Sequence, residues 1–466
     1  MGKAARSSKG GMPMNVHEVV RGWIALVGAF IWVIALSAMA DENGIVVISP
    51  HWDGIKEETA RAFLAWHEKT YGQPVTIRWH EAGGGGSRIV KLLGAEYAAH
   101  PDIGIDVLYG GGFEPFEELE KDGLLTRYDP PAETLAQIPT ELNGTPLIDP
   151  GHEWFGACLS GFGIITNERV RQAAGLPKVR TWADLADPHL AGWVSACDPR
   201  ASSSVMQIYE IILQSYGWDK GWGVLMEMSG NTRNFLPSAA ASAVEVGLGD
   251  AAYGVSIDVY GQAQAGYYGR GNVNFTLPTG RTVITPDAIA ILKNPPHPEL
   301  ARHFLQFVLS REGQMLWMAP LGSPEGAKRY PINRMSVRPA LYDELGGITP
   351  ITTNPFKSPP AFVLSDQLGS KRRTILMALI ASWMIDTHDV LVQAWAKLNS
   401  PAAEKLPAEH RQKLWAQFLA PPCSEQELLR LVDTDWQNPV KRTALANRWQ
   451  AEALDRYENL IAQLAQ

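Results

Sequence analysis

The succession of apolar and polar positions divides the chain into short strand-like runs and longer helix-like ones. Residues 44–49 form a compact β-branched run, and the stretch after Asp53, which can cap a helix, sets Ile55, Thr59, Phe63 and Trp66 along one stripe. Residues 74–79 alternate as a strand does, a helix starts at Ser87, residues 105–109 are a third strand, and 114–121 are helical. This β-α-β-α-β-α order predicts a mainly parallel sheet covered by helices on both faces.

Residues 129–153 are proline-rich and aperiodic, which makes them a connection. Beyond them the pattern predicts strands at 156–166, 192–196, 251–257 and 273–277, with helices near 181–185, 202–216, 220–228 and 238–246. That is a second α/β unit. Residues 288–292 and a helix over 298–309 resume the style of the first. Farther on, residues 375–385 are apolar but only half as long as a membrane span requires. Residues 390–398, 414–419 and 448–464 continue with helical period, so these segments read as helices packed on a lobe. The predicted division is a leader over 1–40, lobe one over 41–153 and again over 276–364, lobe two over 154–275, and a C-terminal helical extension over 365–466.

The leader has its own logic. Lys3, Arg6, Lys9 and Arg21 precede an apolar stretch over 23–36 that closes on Ala38-Met39-Ala40 and then Asp41-Glu42, the order of a secretory signal cleaved after Ala40. The alternative is an uncleaved anchor, because residues 23–40 fall slightly short of the ~20 a spanning helix needs.

Composition narrows the classes. With 45% hydrophobic and 19% charged residues, a chain of 466 can bury a large core in more than one domain. A formal charge of −8 leaves no polybasic footprint for nucleic acid or an anionic membrane surface. Any anion must be caught locally. Cys158, Cys197 and Cys423 show no metal spacing; Cys158 and Cys197 lie in apolar runs and leave open a disulfide or ordinary buried thiols.

Glycines gather where strands hand over to helices. In "HEAGGGGSRIVKLL", Gly83 to Gly86 join a strand to a helix, the place where open parallel sheets put their ligand crevice. Glycine lets backbone N–H groups approach a ligand, and a helix N-terminus supplies unpaired donors and a positive dipole end. No lysine follows in P-loop position. "YGGGFEPF" places Gly111 at a similar helix start, "LSGFG" sets Ser160 and Gly161 on a strand, and "DPRASSSV" puts Arg200 and Ser202 to Ser204 at another helix start. Serine hydroxyls and a neighbouring guanidinium suit a carboxylate or phosphate. Taken singly, each is also what ordinary turns and serine caps look like, with Arg200 salt-bridged to a neighbour.

These segments, with "GDAAYGVSIDVYG" and "ARHFLQFVLSREGQ", resemble the extracellular solute-binding proteins of bacterial ABC importers, in the branch that binds ferric ion, sugar phosphates and aminoethylphosphonate. The likeness runs over roughly residues 45–342 and lies in the order of segments. It implies a two-lobed α/β fold of the type II periplasmic-binding kind, a ligand captured between lobes by hinge closure, no cofactor, a monomeric periplasmic protein, and permease and ATPase partners on other chains. Carried onto this sequence, the ligand positions are His51, Trp52, Gly84, Gly85, Gly86, Ser87, Ser160, Gly161, Ser202, Ser203, Ser204, Asp258 and Tyr260. One departure matters. Ferric binders of the branch carry two adjacent tyrosines where this chain reads Asp258-Val259-Tyr260, which favours an anionic organic solute and leaves His51, Asp258 and Tyr260 as the donors of a ferric alternative.

Catalytic patterns fail on inspection. His67-Glu68, His80-Glu81 and His152-Glu153 all lack the second histidine of a zincin motif, and Cys158 stands where a nucleophile elbow around Ser160 needs glycine. The expectation is therefore a binding protein, with an enzyme that uses the cleft or a sensory module as the other classes.

Overall fold

A computed structural model describes residues 43–81, 83–357 and 362–464, without the side chain of Ser87; the expected leader and its cleavage point lie outside the described residues. The strands are β1 (Gly44–Ser49), β2 (Thr76–Glu81), β3 (Val107–Tyr109), β4 (Leu125–Thr126), the hairpin pair β5 (Glu141–Leu142) and β6 (Thr145–Pro146), β7 (Phe155–Asn167), β8 (Val194–Cys197), β9 (Thr232–Leu236), β10 (Tyr253–Ile257), β11 (Val273–Thr276) and β12 (Ile284–Leu292). The longer helices are α1 (Asp53–Tyr71), α2 (Gly86–Ala99), α3 (Glu114–Lys121), α4 (Ser203–Tyr216), α5 (Trp218–Asn231), α6 (Ala239–Leu248), α7 (Asp258–Tyr268), α8 (Pro298–Leu309) and α9 (Arg311–Met318). The C-terminal set is α10 (Asp366–Ile380), α11 (His388–Leu398), α12 (Ala408–Leu419), α13 (Glu425–Asp433) and α14 (Pro439–Gln463).

The strand order β2-β1-β3-β12-β7-β10-β8-β9 runs through two lobes. In lobe one, β1 is parallel to β2 and β3, as the alternating pattern predicts, whereas the returning β12 is antiparallel to both β3 and β7. Residues Ile45 and Val47 face Phe63 and Phe304, and Val46 and Ile48 face Ile89 and Phe116, so one short strand feeds a core on each side of the sheet.

The long strand β7 belongs to both lobes. Phe155 to Gly161 pair with β12, and Phe162 to Asn167 pair with β10 and β11. Every residue of it is buried. A strand shared in this way is the covalent link about which two lobes can hinge. Gly163 lies in its second half because a Cβ there would stand 2.3 Å from the Thr276 carbonyl oxygen.

Lobe two shares its core with the C-terminal helices. Trp222 and Met226 of α5 meet Trp383, Trp395, Trp449 and Tyr457, and Trp395 donates its indole N–H to Asn231 at 2.8 Å. Gly230 admits that indole, since a Cβ would lie 2.4 Å from it. Among the described residues no single helix is long and apolar enough to cross a membrane; Asp366–Ile385 and His388–Leu398 reach that length only together, across a 61° bend, and their apolar side chains sit in this core. Cys158, Cys197 and Cys423 are free, which settles the open pairing of the first two. The Cys197 thiol instead donates to the Ser238 carbonyl at 3.0 Å.

Candidate binding cleft

A cavity of about 460 Å³ lies where the lobes meet. Lobe one contributes the turns after its strands: Pro50 and His51 after β1, Gly85 and Gly86 at the start of α2, Gly111 and Gly112 after β3. Lobe two contributes Ser203 and Ser204 at the start of α4, and Ile257, Val259 and Tyr260 where β10 enters α7. Ser160 of the shared strand lies between them. The lobes approach closely here, for a Cβ on Gly85 would be 3.6 Å from Ser203 Oγ.

Glycine is required in the first loop for two reasons. Gly83 has φ +64, and a Cβ on Gly86 would come within 2.4 Å of the Gly111 carbonyl oxygen. The α2 N-terminus is therefore packed against the turn after β3. That second turn holds Gly110, Gly111 and Gly112 at φ +87, +113 and +88, a conformation that side chains resist.

The donors of this turn are already engaged. Gly111 and Gly112 give their N–H groups to Asp287 Oδ1 at 2.6 and 2.8 Å. Asp287 lies at an irregularity in the β12–β7 register and also accepts from Arg334 at 2.7 Å, with His51 Nε2 at 3.1 Å. Arg334 has no solvent exposure and its other nitrogen donates to Ser160 Oγ. Burial works to raise the Asp287 carboxyl, but the guanidinium, the imidazole and the amide donors outweigh it and hold the group well below the usual carboxylate range. For His51 burial prevails over Asp287 and favours the neutral ring. The cavity floor is thus a pre-formed network, and Ser160, accepting from Arg334, keeps its own O–H for another acceptor.

Other expected positions lie elsewhere. Trp52 packs edge-on against Tyr330 and covers Gly54, outside the lining. Gly161 abuts Leu277, Gly84 abuts Arg88, and Ser202, with Oγ 3.3 Å from Ser204 Oγ, stands behind the lining. Arg200, expected among the anion donors, is bound instead by Asp198 at 2.7 Å and Asp386 at 2.9 Å. A carboxylate two residues away competes for that guanidinium more effectively than a transient ligand can.

The proposed ferric donors do not converge. His51 and Tyr260 line the cleft, while Asp258 lines a separate pocket of about 260 Å³ with Gln262, Asn333 and Thr352. Burial, then the Asp287 charge, raises the Tyr260 phenol, which opposes the phenolate that Fe(III) favours. Among the described residues no three His, Cys, Asp or Glu side chains are set to hold a metal ion.

Asp258 carries a testable consequence. Burial pushes its carboxyl up to about 6 against the opposing charge of Arg334, and its Oδ1 has no hydrogen-bond partner. Between the ordinary value of 3.8 and about 6 the folded state keeps a proton that the unfolded state has lost, so this group lowers stability as pH rises through that window. Asp258→Asn is expected to raise the unfolding free energy by about 1–3 kcal/mol near pH 8 and by little near pH 4. Urea unfolding at the two pH values measures it; an equal change at both would remove the titration argument.

Several residues lining the cleft were not legible as site residues, among them Lys121 of α3, Gln207 and Glu210 of α4, and two groups that face each other. One is the acidic wall of α3, Glu114, Glu117 and Glu118, opposite Asp366 at the start of α10. Burial and then the charges of Glu114 and Glu117 push the Asp366 carboxyl up to about 6. The other is the rest of that α10 face, Gly369, Ser370 and Arg373.

Residues 100–336 match the sequence profile of a family described as bacterial extracellular solute-binding protein. The phosphoglycerate transport regulatory protein PgtC of Salmonella typhimurium is 29% identical over 188 residues, 40% of this chain and 44% of that protein, so the likeness spans less than half of the relative. Among solved structures, the periplasmic binding protein AfuA from Actinobacillus pleuropneumoniae, with exogenous fructose-6-phosphate bound, aligns with TM-score 0.51 and 21% identity over 63% of this chain and 85% of that one. The periplasmic binding protein P5PA aligns with TM-score 0.56 and 19% identity over 74% and 100%. At those identities the structural matches establish the fold, the two-lobed periplasmic-binding kind.

Proposed function

Because the chain belongs to the bacterial extracellular solute-binding family, in which the bound solute is passed to an ABC permease and its ATPase, we propose that it is a periplasmic, non-catalytic receptor for a small anionic organic solute, phosphorylated or carboxylated. The observation that carries this reading is the meeting, across one cavity, of the amino ends of α2 and α4 with Gly85, Gly86, Ser203 and Ser204. Two helix starts aimed at one space favour negative charge there. The carboxylates of α3, which also line the cavity, accept hydrogen bonds from hydroxyl or amino groups on the rest of the solute. The 29% identity to a protein named for phosphoglycerate transport supports a phosphorylated compound.

Native mass spectrometry of the purified protein, followed by calorimetric titration with phosphoglycerate, fructose 6-phosphate and inorganic phosphate, tests the reading. Ser203→Ala with Ser204→Ala is expected to weaken solute binding by about 1–3 kcal/mol, the scale of leaving polar groups unpaired in a buried site. The solute should also shrink the radius of gyration as the lobes close. Tight, coloured iron uptake that survives the double serine change and disappears in Tyr260→Phe would replace this reading with the ferric one. Conversion of a cleft-bound compound to a changed product would favour an enzyme.

A second reading is that the loaded chain reports to a receptor, since the curated relative is named a transport regulatory protein. Uptake of labelled solute and induction of transport genes, measured side by side in cells lacking the protein, separate the two.

A further inference from the structure

The matched family segment ends at residue 336, yet helix α10, which begins thirty residues later, takes part in the cleft. Its residues 366, 369, 370 and 373 follow the spacing of one helix face. That face reads Asp-Gly-Ser-Arg, polar throughout, while Ile375, Leu376 and Leu379 bury the helix against lobe two. This partly exposed polar stripe lines the cavity.

The helix is held rigidly in that position. Arg372, without solvent exposure, is ion-paired to Glu210 of α4 at 2.6 Å and to Glu425 of α13. Gln214 of α4 exchanges two hydrogen bonds with the Ser365 backbone, at 2.8 and 3.1 Å. Gly369 permits the approach, since a Cβ would stand 3.3 Å from Glu210 Cγ.

Arg373 is the consequence of that docking. Its Nη2 is 3.4 Å from the Ser203 carbonyl oxygen, so the guanidinium lies at the first turn of α4 beside Ser203 and Ser204. Arg200, Arg334 and Arg372 are all matched to carboxylates, whereas among the described residues Arg373 has none within ion-pair distance. A half-buried guanidinium with most of its five donors free, at a helix N-terminus and in a cavity, is arranged for an anion.

We infer that the C-terminal extension completes the solute site, with Arg373 as the cation that selects the solute's phosphate or carboxylate. This rests on the anionic-solute reading above. It also gives that anion a charged partner that the serine run and the glycine loop lack.

The test uses the full chain and calorimetry with phosphoglycerate, fructose 6-phosphate and, as the uncharged control, fructose. Arg373→Gln is expected to weaken the phosphorylated probe at least about tenfold and to narrow its preference over fructose, with Arg373→Lys intermediate because it keeps charge but not the fork. Its melting temperature should stay near that of the unaltered protein, because Arg373 makes a single long contact with the fold. If the unaltered protein binds a phosphorylated probe and Arg373→Gln binds it within about twofold, the inference fails and the anionic-solute reading stands. If the unaltered protein binds no phosphorylated probe but does bind fructose, that reading fails and the inference with it.

Discussion

Replacing Arg334 by methionine is expected to lower the unfolding free energy by about 3–5 kcal/mol, the scale for removing one partner of a buried, hydrogen-bonded ion pair. The side chain has no exposure and joins Asp287 of β12 to Ser160 of β7, beside the His51 ring that donates to the same Asp287 carboxylate. Without it the Asp287 carboxylate keeps only the Gly111 and Gly112 amides and His51, and it must either bury a poorly compensated charge or take up a proton. The sign follows from the direction of its shift. A carboxyl held below its ordinary value adds stability above that value and loses it as pH falls, so the variant should also lose much of this acid dependence. Adding Asp287→Leu to Arg334→Met should restore part of the loss, because it deletes the stranded charge. Urea unfolding of the single and double variants decides; a loss below about 1 kcal/mol in the single variant would mean that the network is not a stabilising centre.

Much of the architecture was legible because burial on both sides of a sheet leaves a plain mark. The run Ile45 to Ile48 is apolar at every position, and its odd and even members do feed opposite cores. β9 escaped because Thr232–Leu236 is a half-exposed edge strand whose Arg233 and Asn234 hide the pattern. The helix expected over 298–309 is α8, but α9 after it was not anticipated, although Ser310 accepts a hydrogen bond from the Gly313 N–H and starts a new helix there.

The cleft was less legible, and the reason is sequence distance. The serine run is local, and Ser203 and Ser204 do lie in the lining. The triple glycine after β3 was read as a cradle for a ligand, but its last two amides serve Asp287, 176 and 175 residues away. Nothing near Gly111 announces that partner. Arg200 illustrates the converse, since Asp198 stood beside it in the sequence and takes its guanidinium. Arg373 could have been suspected only from a helix that is apolar on one side and yet carries Gly, Ser and Arg, not a charge ladder, on the other.

Arg372→Met is expected to release the C-terminal helices from lobe two, again at about 3–5 kcal/mol. Arg372 spans α4, through Glu210, and α13, through Glu425, and its guanidinium lies 5.3 Å from the centre of the Trp218 ring. Glu210 is itself 3% exposed, so losing the arginine leaves a carboxylate that water reaches poorly and that only Gln214 still contacts, at 2.7 Å. The energy should appear locally before it appears globally. Amides of α10 and α13 should exchange faster by a larger factor than those of β1 or β3, because lobe one has a separate core. Affinity for the phosphorylated probe should fall as well, since α10 carries Arg373. Glu210→Gln in the Arg372→Met background should recover stability without recovering affinity if Arg373 needs the helix in its native register. Uniform acceleration of exchange across both lobes, with affinity unchanged, would show that the extension folds with the whole molecule and that α10 takes no part in holding the solute.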